Sequence, residues 1–177
     1  MHMRLHFVLL GCFLGPVAVQ AQTGFGYLNS MEIIYVMPEM KDVQKKLTDY
    51  SAELDEEFKK MTEGYRKLEA DYKANASKWS ETIRQLKEDE LMQEQQKIQR
   101  SQEAFQQDLG EKQQLLLEPL LMKADSAIKV VAKEKNIQYV FDTSKNALLY
   151  AEESGDISKF VKMKLGIDPN AKPQGME

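Results

Sequence analysis

The chain has 177 residues, of which 29% are charged, a formal net charge of −4 and a single cysteine. That length allows one domain, and the acidic balance gives no basis for a nucleic-acid partner. No Gly-rich phosphate loop occurs, so an ATP cycle has no support in the sequence.

Residues 1–6 contain Arg4 and no acid, residues 7–19 form an apolar run, and Val19-Gln20-Ala21 offers small side chains spaced for cleavage after Ala21. Residues 1–21 therefore read as a secretory signal peptide, too short to span a bilayer, and no transmembrane segment is expected after its removal. Leu9-Leu10-Gly11-Cys12 also resembles a lipoprotein cleavage site, although only five residues separate His6 from Cys12. Cys12, His2 and His6 all lie in this segment, so the exported chain would carry no cysteine and no histidine. It would lack a disulfide, an imidazole base, a thiol nucleophile and nitrogen or sulfur metal ligands. No catalytic residue, metal or cofactor is expected, and the chain does not read as an enzyme.

Residues 24–29 read as a short strand ending at a helix cap (Asn29-Ser30), and residues 31–36 as a brief helix. Pro38 suits the first position of a long helix, where a missing N–H costs nothing. Val43, Leu47, Tyr50, Leu54, Phe58, Met61, Tyr65, Leu68, Tyr72 and Trp79 then recur at steps of mostly three and four, one narrow apolar stripe along a helix. The consecutive four-residue steps around Leu54 and Phe58 mark a stutter in this coiled-coil-like seam. After a polar break at residues 75–80 the stripe resumes through Ile83, Leu86, Leu91, Ile98, Phe105, Leu109 and Leu116. Two such helices predict an antiparallel hairpin over residues 43–118, turning near 75–82 with Ser80 as a cap. The midpoint between Pro38 and Pro119 falls between Lys78 and Trp79, consistent with arms of equal length. At about 1.5 Å per residue each arm is about 55 Å long, so it must protrude. Gly64 and Gly110 read either as soft points where the arm bends or as tolerated surface glycines.

Pro119 predicts a kink where the return helix enters the body. Leu120, Leu121, Ala124, Ile128, Val131 and Ala132 give it a broader apolar face there, as for a helix on a sheet. Asn136 ends that helix. Residues 138–143 and 147–151 read as two strands around a turn at residues 144–146, and Ser158 as the cap of a last helix ended by Gly166. Residues 168–177 read as a flexible tail. The fold class is α+β, with a small β-sheet body (residues 22–42 and 119–167) bearing a long protruding antiparallel helical hairpin.

The chain resembles the Skp/OmpH family of periplasmic chaperones for outer-membrane proteins. The resemblance rests on Gly26-Tyr27-Leu28-Asn29-Ser30, Met37-Pro38-Glu39, Ala127-Ile128, Val131-Ala132-Lys133-Glu134, Tyr139-Val140-Phe141-Asp142, Leu149-Tyr150-Ala151 and Asp156-Ile157-Ser158. It implies periplasmic localisation and a homotrimer whose strands join in a central barrel, with three arms enclosing unfolded outer-membrane proteins. Tyr27, Leu28, Val140, Phe141, Leu148 and Tyr150 are the oligomerisation candidates, and trimerisation would cover the edges of a small sheet. The strongly basic arms of the family are absent: residues 41–78 hold nine bases and nine acids, residues 81–118 five bases and nine acids.

Only the tip is basic. Tyr72, Lys73, Lys78, Trp79, Arg84 and Lys87 are the client-binding candidates there, although the charges also read as a solvated turn and Trp79 as a seam residue. Nine glutamines between positions 93 and 114 fill the return stripe poorly. That predicts either a compliant arm for clients of different sizes or a seam completed by a partner helix. The competing function is a structural or adaptor protein of the cell envelope whose hairpin docks on one fixed partner.

Overall fold

The computed structural model describes residues 24–145 and 148–173. The expected signal peptide, with Cys12, lies outside the described residues. Strand β1 (Gly24–Leu28) ends at Asn29, whose side chain accepts the Glu32 amide and caps α1 (Ser30–Tyr35). The Met40 and Lys41 amides donate to the Met37 and Pro38 carbonyls, so Pro38 sits in the turn before α2 (Met40–Asn75) rather than opening that helix. The chain reverses through a short 3-10 turn (Ala76–Lys78), and Ser80 caps α3 (Glu81–Glu134) by accepting the Ile83 amide.

Helix α3 runs through Pro119 as a single helix of 54 residues. The proline removes only the bond to the Leu115 carbonyl, and Leu116, Leu117 and Leu120 packed on the body hold the helix on either side. Asn136, at φ 56°, provides the left-handed residue that ends it. Strand β2 (Ile137–Asp142) then lies parallel to β1, pairing Phe25 with Tyr139, Gly26 with Val140 and Tyr27 with Phe141. The crossover a parallel pair needs is here α1, α2 and α3 together.

The sheet has two strands. The third strand expected at residues 147–151 does not form: residues 148–151 are not in a strand, and residue 147 lies outside the described residues. The chain turns away at Asp142. Asp142 Oδ1 accepts the Ser144 amide (3.0 Å), which turns the chain through a 3-10 turn (Thr143–Lys145) and off the path of a hairpin. Leu148, Tyr150 and Ala151 instead line a cleft with Phe25, Tyr27 and Phe141. The far edge of β1 receives a single bridge, Ile157 amide to Tyr27 carbonyl (3.0 Å). Helix α4 (Ser158–Lys164) follows, with Ile157 at its N-cap position and the carboxylate of Asp156 before it accepting the Ser158 amide (2.8 Å); Ser158 is itself already helical. Gly166, at φ 74°, ends it.

The core lies where these elements meet, with Leu28, Ile33, Ile34, Val131 and Val161 fully buried and Met37, Met40, Val43, Leu120, Ala124, Ala127 and Ile157 nearly so. Between residues 44 and 119 nothing is buried to that degree; the arm is half-buried along one line and exposed elsewhere.

Asp142 ties the end of β2 to the start of α1, accepting the Ser30 amide (3.1 Å) and the Ser30 hydroxyl (2.6 Å). Burial pushes its carboxyl up, but the bonds from Ser30 and Ser144 outweigh that and hold it below the usual carboxylate range. The stability it contributes is therefore present above about pH 4, the ordinary aspartate value, and is lost as pH falls through the depressed one. Asp142→Ala is expected to cost about 1–3 kcal/mol, the penalty for unpaired buried donors, and to flatten the acid limb of a urea-melt pH series. An unchanged acid limb would assign that limb to other carboxylates.

Candidate functional site

Two surfaces stand out. The first is the outer face of the sheet. Alternation along a strand sends Gly26, Leu28 and Val140 toward the core and Phe25, Tyr27, Tyr139 and Phe141 away from it. Phe25 stacks on Tyr139 (ring centroids 5.7 Å apart) and tilts against Phe141 (6.2 Å). Tyr150, 80% exposed, and the fully exposed Leu149 follow beside this face. Burial, with the Asp156 and Glu153 carboxylates nearby, pushes the Tyr27 phenol up.

Of the six oligomerisation candidates, the structure places Tyr27, Phe141, Leu148 and Tyr150 together around one cleft of about 420 Å³. It places the other two elsewhere. Leu28 is 1% exposed, and the half-buried Val140 packs against the core on the opposite face of the sheet. Neighbours in a strand point to opposite faces, and Tyr27 with Leu28, or Val140 with Phe141, cannot serve one surface together. Phe25 and Tyr139 share the face of Tyr27 and Phe141, as a period of two through those residues indicates.

The second surface is the arm tip. The half-buried stripe of α2 is the one the sequence predicts, from Leu47 to Tyr72. That of α3 differs at its distal end. The seam there is lined by Arg84, Lys87 and Glu88 before Leu91, Ile98 and Phe105, whereas Ile83 and Leu86 are 44% and 63% exposed. The heptad that places Leu91, Ile98 and Phe105 in the seam reaches back to position 84, one residue off Ile83 and two off Leu86.

The basic candidates at the tip are largely paired within the chain: Lys73 with Glu69 (2.9 Å), Arg84 with Glu81 (3.2 Å) and Lys87 with Glu90 (2.7 Å). Among the described residues, Lys78 makes no ion pair. Across the seam, the Tyr72 hydroxyl donates to Glu88, and the Trp79 ring meets Tyr72 edge-on with centroids 5.9 Å apart. Tyr72 and Trp79 thus close the end of the arm as a small aromatic plug, both half-buried. Ile83 and Leu86 are the exposed apolar residues beside this plug, with Met92 exposed further along α3.

The hydrogen bond to Glu88, together with burial and that carboxylate's charge, pushes the Tyr72 phenol up. The contact is therefore intact below about pH 10, the ordinary tyrosine value, and is lost as pH rises through the raised one. Trp79 is the chain's only tryptophan, so its fluorescence reports the plug. Quenching by the adjacent tyrosinate is expected to set in above pH 10 and to move to lower pH in Glu88→Gln. A midpoint indifferent to Glu88 would mean that the plug is open in solution.

Between the body and the tip the seam is thin. Leu54, Phe58, Phe105 and Leu109 border an open cleft of about 250 Å³ at the position of the stutter. Across the seam the Lys112 ammonium lies 5.1 Å from the centre of the Tyr50 ring. A methyl group added at Gly64 or Gly110 would meet nothing within 4 Å, so packing does not demand glycine at either position. No helix among the described residues is long and apolar enough to cross a membrane, and none of their His, Cys, Asp and Glu side chains cluster as a metal site.

The sequence profile of the family described as Outer membrane protein (OmpH-like) matches residues 24–165. A search of curated proteins finds no match. Among solved structures, the fold is similar to that of a Caulobacter crescentus CB15 protein named there as a candidate outer membrane chaperone (OmpH-like). The two share 15% identity with a TM-score of 0.65, over 94% of this chain and 96% of the other.

Proposed function

Because the chain belongs to the family of OmpH-like outer membrane proteins, we propose that it is an ATP-independent holding chaperone of the periplasm. It is exported through a cleaved signal peptide, assembles as a homotrimer through the aromatic outer face of its sheet, and holds unfolded outer-membrane proteins between its arms. The observation that supports this reading best is the arm. Its helix α2, 36 residues long, is covered by α3 along one narrow line only, so most of the arm's surface faces solvent, with Ile83, Leu86 and Met92 of α3 as apolar contacts.

Unfolded barrel proteins expose alternating apolar strands, and many weak contacts with such arms slow aggregation without chemistry or an energy source. The paired charges of Lys73, Arg84 and Lys87 make the apolar tip residues, rather than basic ones, the principal client contacts. The test is dilution of several unrelated outer-membrane proteins from urea, followed by light scattering. Added protein is expected to suppress aggregation of all of them, with weak dependence on salt. Suppression of none, with binding to a single folded envelope protein instead, would establish the adaptor reading.

A further inference from the structure

Residues 168–173 begin the segment that reads from sequence as a flexible tail, yet they fold into a turn: the Asn170 amide donates to Asp168 Oδ1 and the Ala171 amide to the Asp168 carbonyl, both at 2.9 Å. Residues 174–177 lie outside the described residues. The turn sets the Ala171 carbonyl 2.7 Å from Lys162 Nζ. Lys162, on α4, is 8% exposed and is the one buried charged side chain among the described residues. It makes no ion pair among them, and the Ala171 carbonyl is the acceptor it has. Lifting the segment would strip the part-buried Lys162 ammonium of its acceptor, so this bond holds the segment against α4.

On its other side the same segment faces the arm. Ala171 and Lys172 form one wall of a cleft of about 550 Å³ whose opposite wall is Tyr35, Met37, Pro38 and Lys41. Those four residues are the turn by which α1 becomes α2, the root of the arm. We infer that residues 168–172 are a strap, locked onto α4 by Lys162, that acts as a stop for the arm: tilting of α2 toward α4 narrows the cleft until the root meets the strap. The strap thereby sets how far an arm can close on its contents.

Arm position is read by electron spin resonance distances between labels at Lys78→Cys on the tip and Lys159→Cys on α4, in a Cys12→Ser background. Dilution with unlabelled protein restricts the distances to one chain. Truncation after Ile167 is expected to broaden the distance distribution and extend it to shorter values. Lys162→Met, which keeps the bulk of the side chain and removes the donor, should do the same, whereas truncation after Pro173 should leave the distribution unchanged. If the first truncation fails to fold, Lys162→Met alone decides. A distribution unchanged in Lys162→Met, or broadened equally by truncation after Pro173, overturns the strap. The readout is a distance within one chain, so its failure leaves the chaperone reading standing.

Discussion

Tyr139→Asp combined with Phe141→Asp is expected to reduce the native mass from three chains to one, measured by native mass spectrometry or sedimentation at fixed concentration. Both side chains lie on the outer face of the sheet beside Phe25, and both are exposed in the single chain, so the substitutions leave the core of the body untouched. A fully exposed aromatic side chain buries about 150–250 Å² on covering, and Tyr139 and Phe141 are 59% and 42% exposed, so covering what remains of each is worth about 2–3 kcal/mol at about 25 cal/mol per Å². In an assembly around that face the substitutions remove two such contacts per chain and place unpaired carboxylates in the interface, which costs several kcal/mol per ion. Lys78→Asp, an exposed tip residue far along the sequence from β1 and β2, is the control and should leave the mass unaltered. A double aspartate variant that keeps the native mass of the parent would mean that the chains associate elsewhere, and a cavity bounded by arms around the sheet would lose its basis.

The hairpin was legible because its information is periodic. From Val43 to Tyr72 every stripe residue that the sequence predicts is half-buried or buried, and the cap at Ser80 is where the sequence reading puts it. Periodicity fails where the repeat passes onto polar residues: Arg84, Lys87 and Glu88 occupy the distal seam, so a search for apolar side chains slipped to Ile83 and Leu86. The missing strand at residues 147–151 has a different cause. The Ala-Leu-Leu-Tyr-Ala pattern is a reasonable strand in isolation, but the Asp142 carboxylate binds Ser144 and Ser30 and directs the chain across the outer face instead. A tertiary bond between residues 112 positions apart is not written in local pattern. Alternation along each strand turns Leu28 and Val140 to the face opposite Tyr27 and Phe141, so the six oligomerisation candidates do not share one surface.

Stability should reside in the body and hardly at all in the arm. Ile34→Ala removes a side chain with no exposed surface from the centre of the core, where α1, α3 and α4 meet, and is expected to cost about 2–5 kcal/mol. Set against a total of about 5–15 kcal/mol for a folded domain, that is a large fraction, and the urea midpoint should fall steeply. Leu86→Ala removes a side chain of similar volume from a position 63% exposed, on a helix that favours leucine and alanine nearly equally, and should move the midpoint by less than about 0.5 kcal/mol. Both are measured at one protein concentration, because association adds its own dependence. If Leu86→Ala is also found to weaken client holding, its silence in the melt assigns that loss to the client surface rather than to folding. Equal destabilisation by the two changes would place Leu86 in a buried seam and remove the exposed arm surface on which the holding mechanism depends.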